Sequence, residues 1–140
     1  MNKSAVASTQ TIVIRAAMFP EWADLEVECT WSLGGTTFTA KTLRYRARDN
    51  NRRKGNIKMG LVSQGDTGWI ELNNDDGIQD GEWHAFERSL SVAADARLAT
   101  VHFNWIYDNF LTDLNMTGRQ EVRFGKSGGG GRNPASSAGQ

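Results

Sequence analysis

Between Thr42 and Leu72 the chain reads TLRYRARDNNRRKGNIKMGLVSQGDTGWIEL. Leu43, Tyr45 and Ala47 alternate with Arg44, Arg46 and Arg48. Successive side chains of a β-strand point to opposite faces of a sheet, so this period of two predicts a half-buried strand with three arginines on its wet side. A helix would scatter those arginines around its circumference. A basic turn, NNRRKG, then leads into a second apolar run over 57–62. The loop SQGDTG follows, and Trp69 opens a third strand over 69–72.

The rest of the chain repeats this grammar. Thr11 to Ala17 is an apolar strand ending at Phe19-Pro20. Leu25, Val27, Cys29 and Trp31 alternate with Glu26, Glu28 and Thr30, and Gly34-Gly35 is a hairpin signal before a short strand from Thr36 to Ala40. Asn73 to Glu82 is a loop by composition, since Asn, Asp and Gly supply turn conformations. Trp83 to Leu90, Ala99 to Tyr107 and Glu121 to Phe124 complete the expected strands, and Val92 to Leu98 is the sole plausible helix. Eight or nine strands with turns every 8–12 residues predict an all-β fold, an antiparallel β-sandwich. Residues 1–9 read as a loose leader, 10–124 as the sandwich domain, and 125–140 as a flexible Gly/Ser-rich tail.

At 140 residues the chain is long enough for one domain with a real core. Its 16 basic and 16 acidic side chains cancel, so no global field draws it to nucleic acid or to an anionic membrane. Half of the basic residues nevertheless lie between Lys41 and Lys58, while Asp66 to Glu87 is acidic. The single cysteine, Cys29, rules out an internal disulfide and a four-cysteine zinc site, and its apolar run predicts a buried, inert thiol. No segment approaches the roughly 20 apolar residues of a membrane span. Arg15 interrupts the first apolar run, so no clean signal peptide is legible; a cytoplasmic location, or release without a classical signal peptide, is expected.

Few motifs point to catalysis. His84 and His102 lie in strand patterns without a neighbouring nucleophile, and no carboxylate pair has the spacing that drives two pKa values apart. The sequence predicts no enzyme, no cofactor and no metal site. The oxygen-rich loop Asn73–Glu82 departs from the EF-hand order, because Gly77 would put Leu72 at the first ligand position. GRQEVRFGKS has the wrong glycine spacing for a phosphate loop. The basic run Arg44 to Lys58 reads as a solvated strand face, since Tyr45 alternates inward and bases would have no exposed plate to stack on. Five tryptophans remain. Sugars present apolar C–H faces beside many hydroxyls, so their sites pair an aromatic plate with short polar side chains. Trp69, with Gln64, Asp66, Glu71, Asn73 and Asn74, has that make-up, whereas Trp31 and Trp105 read as core.

QTIVIR, VECTWSLGGTTFT, TLRYRARDN, IKMGLV before Trp69, ERSLS and VHFNWIYDNFLTDLN, in that order across residues 11–115, resemble the actinoporin-like fungal fruit-body lectins. The last segment is also similar to the FxxxYDxxL run of the actinoporin pore-formers. The resemblance implies an actinoporin-like sandwich that binds galactosyl-N-acetylgalactosamine and N-acetylglucosamine. Several departures fall on the sugar sites. The glycine-serine hairpin before TLR is missing, and the loop before Trp69 is longer. Glu71, Leu72 and Asn74 stand where the family has Asp, Ile and Thr, and Glu82 and Ala93 lie near its lost arginine and tyrosine.

The first expectation is thus a lectin-like module for glycans or glycoconjugates, a homo-oligomer that does not bind nucleic acid. One alternative is an actinoporin-like membrane-binding protein touching lipid through Trp105, Tyr107 and Phe110, without the long N-terminal pore helix. The other is a structural protein, a virion or tail component with a jelly-roll sandwich.

Overall fold

The computed structural model describes residues 6–125, with side chains from Thr9 onward. Most of the expected leader and nearly all of the Gly/Ser-rich tail lie outside the described residues. Ten strands form: β1 (Val6–Met18), β2 (Glu21–Ser32), β3 (Thr37–Ala47), β4 (Arg52–Val62), β5 (Ile70–Glu71), β6 (Gly77–Gln79), β7 (His84–Ala85), β8 (Ser89–Ala93), β9 (Leu98–Tyr107) and β10 (Leu114–Arg123). They make two antiparallel sheets. The first runs β1-β2-β3, with β7 and β8 both paired to β3; the second runs β10-β9-β4, with β5 and β6 both paired to β4. The expected β-sandwich is therefore present.

Three differences from the sequence reading fall on the first sheet, and two share one cause. Thr36–Ala40 and 42–48 were expected as separate strands but are a single strand, β3, carrying a bulge. Glu26 pairs with Arg44 while Val27 pairs with Thr42, which leaves Leu43 as the extra residue. The bulge shifts the inward frame from Phe38, Ala40 and Thr42 to Tyr45 and Ala47, so Leu43 is only half-buried. The same bulge splits the expected strand Trp83–Leu90. β7 pairs Tyr45 and Arg44, whereas β8 pairs Lys41 back to Thr37. Between them the Thr42 hydroxyl donates to the Phe86 carbonyl at 2.6 Å and accepts the Arg88 N–H at 2.8 Å. The third difference is the expected helix Val92–Leu98. Val92 pairs with Phe38 in β8, and Ala96 has φ +61°, so no helix continues there.

The two inner faces form the core. Leu25, Val27, Cys29 and Trp31 of β2 and Phe38, Tyr45 and Ala47 of β3 meet Ile57, Met59 and Leu61 of β4 and Val101, Phe103, Trp105 and Tyr107 of β9. Each large side chain so buried contributes on the order of 1.5–3 kcal/mol. Tyr45 and Trp105 touch across the two sheets, with ring centroids 5.2 Å apart. Burial pushes the Cys29 thiol up to about 12, with Glu28 adding to the shift, so it stays a protonated, unreactive thiol at neutral pH.

At one edge β10 runs against β1, and only glycine permits the approach. A Cβ on Gly118 would lie 2.0 Å from the Arg15 carbonyl oxygen. Gln10 Nε2 donates to the Arg123 carbonyl further along the same edge. This antiparallel neighbourhood carries the β1–β2 turn and the β9–β10 loop to the same end of the sandwich.

Candidate functional site

The inner-facing residues of β4 and β9 leave their alternates on the outer face of the second sheet. Cross-strand register sets that face out in rows. Gly60 lies beside His102 and then Arg119; Glu71 lies beside Lys58, then Asn104 and Thr117; Asn56 lies beside Ile106 and then Asn115. Gly60 leaves room for the turn before β5: a Cβ there would be 2.8 Å from the Gly68 carbonyl oxygen. That close passage sets Trp69 over the sheet. Its ring is 49% exposed and meets the His102 ring edge-on, with centroids 6.0 Å apart. The result is an aromatic plate on a polar floor.

The sequence-predicted sugar residues divide. Trp69 and Glu71 share this face, and Glu71 Oε2 accepts from Asn56 Nδ2 at 3.1 Å. Asp66 shapes the loop, accepting the Gly68 N–H at 2.8 Å, and Gln64 and Asn74 are exposed. Asn73 serves the backbone. Its Oδ1 accepts the Ile57 N–H at 2.8 Å, and its Nδ2 donates to the Gly55 carbonyl and to Asp76. The loop Asn73–Glu82 also contains β6, so it is less irregular than its composition indicates. His102, Lys58, Asn104, Thr117 and Arg119 were not singled out as site residues. They come from strands far apart in sequence, and only the pairing of the 98–107 and 114–123 alternations could have found them.

The alternative membrane set is corrected in two of its three members. Trp105 and Tyr107 are fully buried. Trp105 Nε1 donates to Gln79 Oε1 at 3.0 Å and Tyr107 OH donates to the Arg48 carbonyl at 2.7 Å, so both are held in the core and cannot touch lipid. Phe110 is 81% exposed, beside Leu111 at 87%, and Phe19 of the β1–β2 turn at the same end is 96% exposed.

The outer face of the first sheet is a ladder of guanidiniums and indoles. Arg15 and Arg46 flank Trp22 at 4.5 and 5.6 Å, while Arg46 and Arg44 flank Trp83 at 4.5 and 4.2 Å. Asp24, only 2% exposed, accepts Arg15 Nε and Nη2 at 2.8 and 2.9 Å and Arg46 Nε at 3.0 Å. Glu26 accepts Arg44 Nε at 2.7 Å, and Glu21 accepts Arg48 Nη1 at 3.0 Å. Burial alone would raise the Asp24 carboxyl, but the hydrogen bonds from Arg15 and Arg46 outweigh it and hold the group below its ordinary value. Arg44, Arg46 and Arg48 face outward as the alternation predicts; the indoles of Trp22 and Trp83 beside Arg44 and Arg46 carry no signal in that alternation.

Comparison with known protein families, curated proteins and solved structures found no match for this chain.

Proposed function

We propose that the protein is a non-enzymatic carbohydrate-binding module and that its site is the Trp69 face of the second sheet. The observation that carries this reading is the half-exposed Trp69 indole against His102, with Glu71, Lys58 and Arg119 in the adjoining rows. A pyranose lays its C–H face on such a plate while its hydroxyls bond the surrounding carboxylate and cationic groups. The resemblance to the actinoporin-like lectins supports the same reading, and an actinoporin-like variety of sandwich and a homo-oligomeric state are part of it. The sugar is not carried over, because the family's sites differ here at Glu71, Asn74, Glu82 and Ala93.

A glycan array tests the reading. Saturable binding to at least one glycan is expected, and Trp69→Ala should weaken it at least tenfold, about 1.4 kcal/mol. An array on which the folded protein binds nothing overturns it.

A second reading, membrane binding, is favoured by Phe19, Phe110 and Leu111, which project from one end of the sandwich. Apolar tips of this kind insert at the headgroup boundary. Co-sedimentation with sphingomyelin vesicles that is lost in the Phe110→Asp, Leu111→Asp variant supports it, and the absence of co-sedimentation removes it.

A further inference from the structure

We infer that Arg44 and Arg46, on the face opposite the Trp69 site, bind the anionic group of an acidic glycan: a sulfate ester or a sugar carboxylate. The inference rests on the carbohydrate reading and adds a second, separate site with a stated substrate class.

The two guanidinium carbons lie 4.2 and 4.5 Å from the centre of one indole, Trp83. They are no farther apart than those two distances laid end to end. Two like charges gathered at one ring repel, and among the described residues each has one carboxylate contact, made through Nε: Arg44 to Glu26 and Arg46 to Asp24. Among the described residues no hydrogen bond engages the Nη groups of either arginine. Asp24 is moreover shared with Arg15, so Arg15, Arg44 and Arg46 face two carboxylates and one positive charge is left over. A tetrahedral or planar oxyanion accepting charge-assisted bonds of roughly 2.7–2.9 Å from both side chains spans the gap and relieves the repulsion. Arginine suits this task because its planar fork presents paired donors that match such oxyanions. Contact with the Trp83 indole holds both guanidiniums in place in advance, which lowers the ordering cost of binding.

The rest of the face limits the ligand. Further along the strands Lys41 is bracketed by Glu28, its cross-strand partner, and by Glu87 at 3.7 Å, an excess of negative charge. A nucleic-acid strand or a long polyanion laid along the sheet would meet those carboxylates. Guanidiniums also lie against Trp22 and Trp83, so a base finds no open plate to stack on. A short glycan with one charged group fits where a polymer does not.

The test compares 3′-sulfated lactose with lactose by calorimetry at low ionic strength, on the wild type and on three variants. The sulfated sugar should bind at least tenfold tighter, and the preference should shrink several-fold in 0.5 M NaCl. Arg44→Gln with Arg46→Gln should abolish the preference, whereas Trp69→Ala and Lys41→Gln, which lie outside the subsite, should keep it. Equal binding of the two sugars, or a preference that survives the double variant, overturns the inference. A sodium sulfate titration followed by tryptophan fluorescence separates this result from failure of the carbohydrate reading. If neither sugar binds, a saturable sulfate response that the double variant lacks upholds the anion subsite alone, and no response overturns it. Thermal unfolding of each variant confirms that it is folded.

Discussion

The two outer faces of the sandwich are built from the same strand alternation and are used in opposite ways. On the first sheet Arg15, Arg44, Arg46 and Arg48 reach sideways to Asp24, Glu26 and Glu21, and the first three lie against Trp22 and Trp83, so the face is tied together by its own side chains. On the second sheet, among the described residues, Lys58 and Arg119 make no such ion pair, and Trp69 meets the His102 ring beside the Gly68 carbonyl that passes over Gly60. Polar groups that satisfy one another add to the fold. Groups left facing water are available to a ligand. The first face should therefore matter most to stability, with the Nη groups of Arg44 and Arg46 left for an anion, and the second to binding of the sugar ring.

Substitutions can break that contrast. The largest stability effect is expected at Asp24. Asp24→Asn leaves two guanidiniums against a neutral amide; because those arginines are half-exposed, the cost falls below that of a fully buried pair, about 2 kcal/mol in urea unfolding. Its pH dependence has a fixed sign. The folded Asp24 pKa lies below its unfolded value of about 4, so its contribution is complete above that pH and is lost as pH falls through the lower, folded value. The stability gap between wild type and Asp24→Asn should narrow on acidification below pH about 4; a gap that widens would contradict the assignment.

Next comes Gly60→Ala. Its Cβ would press on the Gly68 carbonyl, cost about 1–2 kcal/mol, and tilt Trp69 from His102, so glycan affinity should fall with stability in the same variant. The smallest stability effect is expected for Trp69→Ala, under about 1 kcal/mol, despite its large expected effect on binding. Should Trp69→Ala destabilise as much as Asp24→Asn, the division between the two faces would fail.

Much of the fold was legible because burial wrote itself into the period of two. β2 and β9 alternate cleanly, and both emerge as core strands. β10 was largely missed because Gly118 and Gln120 occupy positions between Met116 and Val122, interrupting the apolar series, and because Gly118 answers to the Arg15 backbone rather than to its own strand. In the candidate site, Trp69 and Glu71 were legible as neighbours in sequence. Asn73 misled, since an amide that completes the β4 ladder is indistinguishable in sequence from one left for a ligand. His102 and Arg119 were illegible as site members because strand pairing alone brings them to Gly60.

The bulge at Leu43 has a consequence for changes in chain length. Upstream of it β3 counts in one frame, downstream in the other, and the surplus residue takes up the mismatch. Removing Leu43 would leave Phe38, Ala40, Thr42, Tyr45 and Ala47 facing inward in one unbroken count, with Arg44 and Arg46 still outward. Removing Tyr45 or Arg46 would instead put Arg44 on the inward count. At its bulge β3 can thus lose a codon without turning a charge into the core.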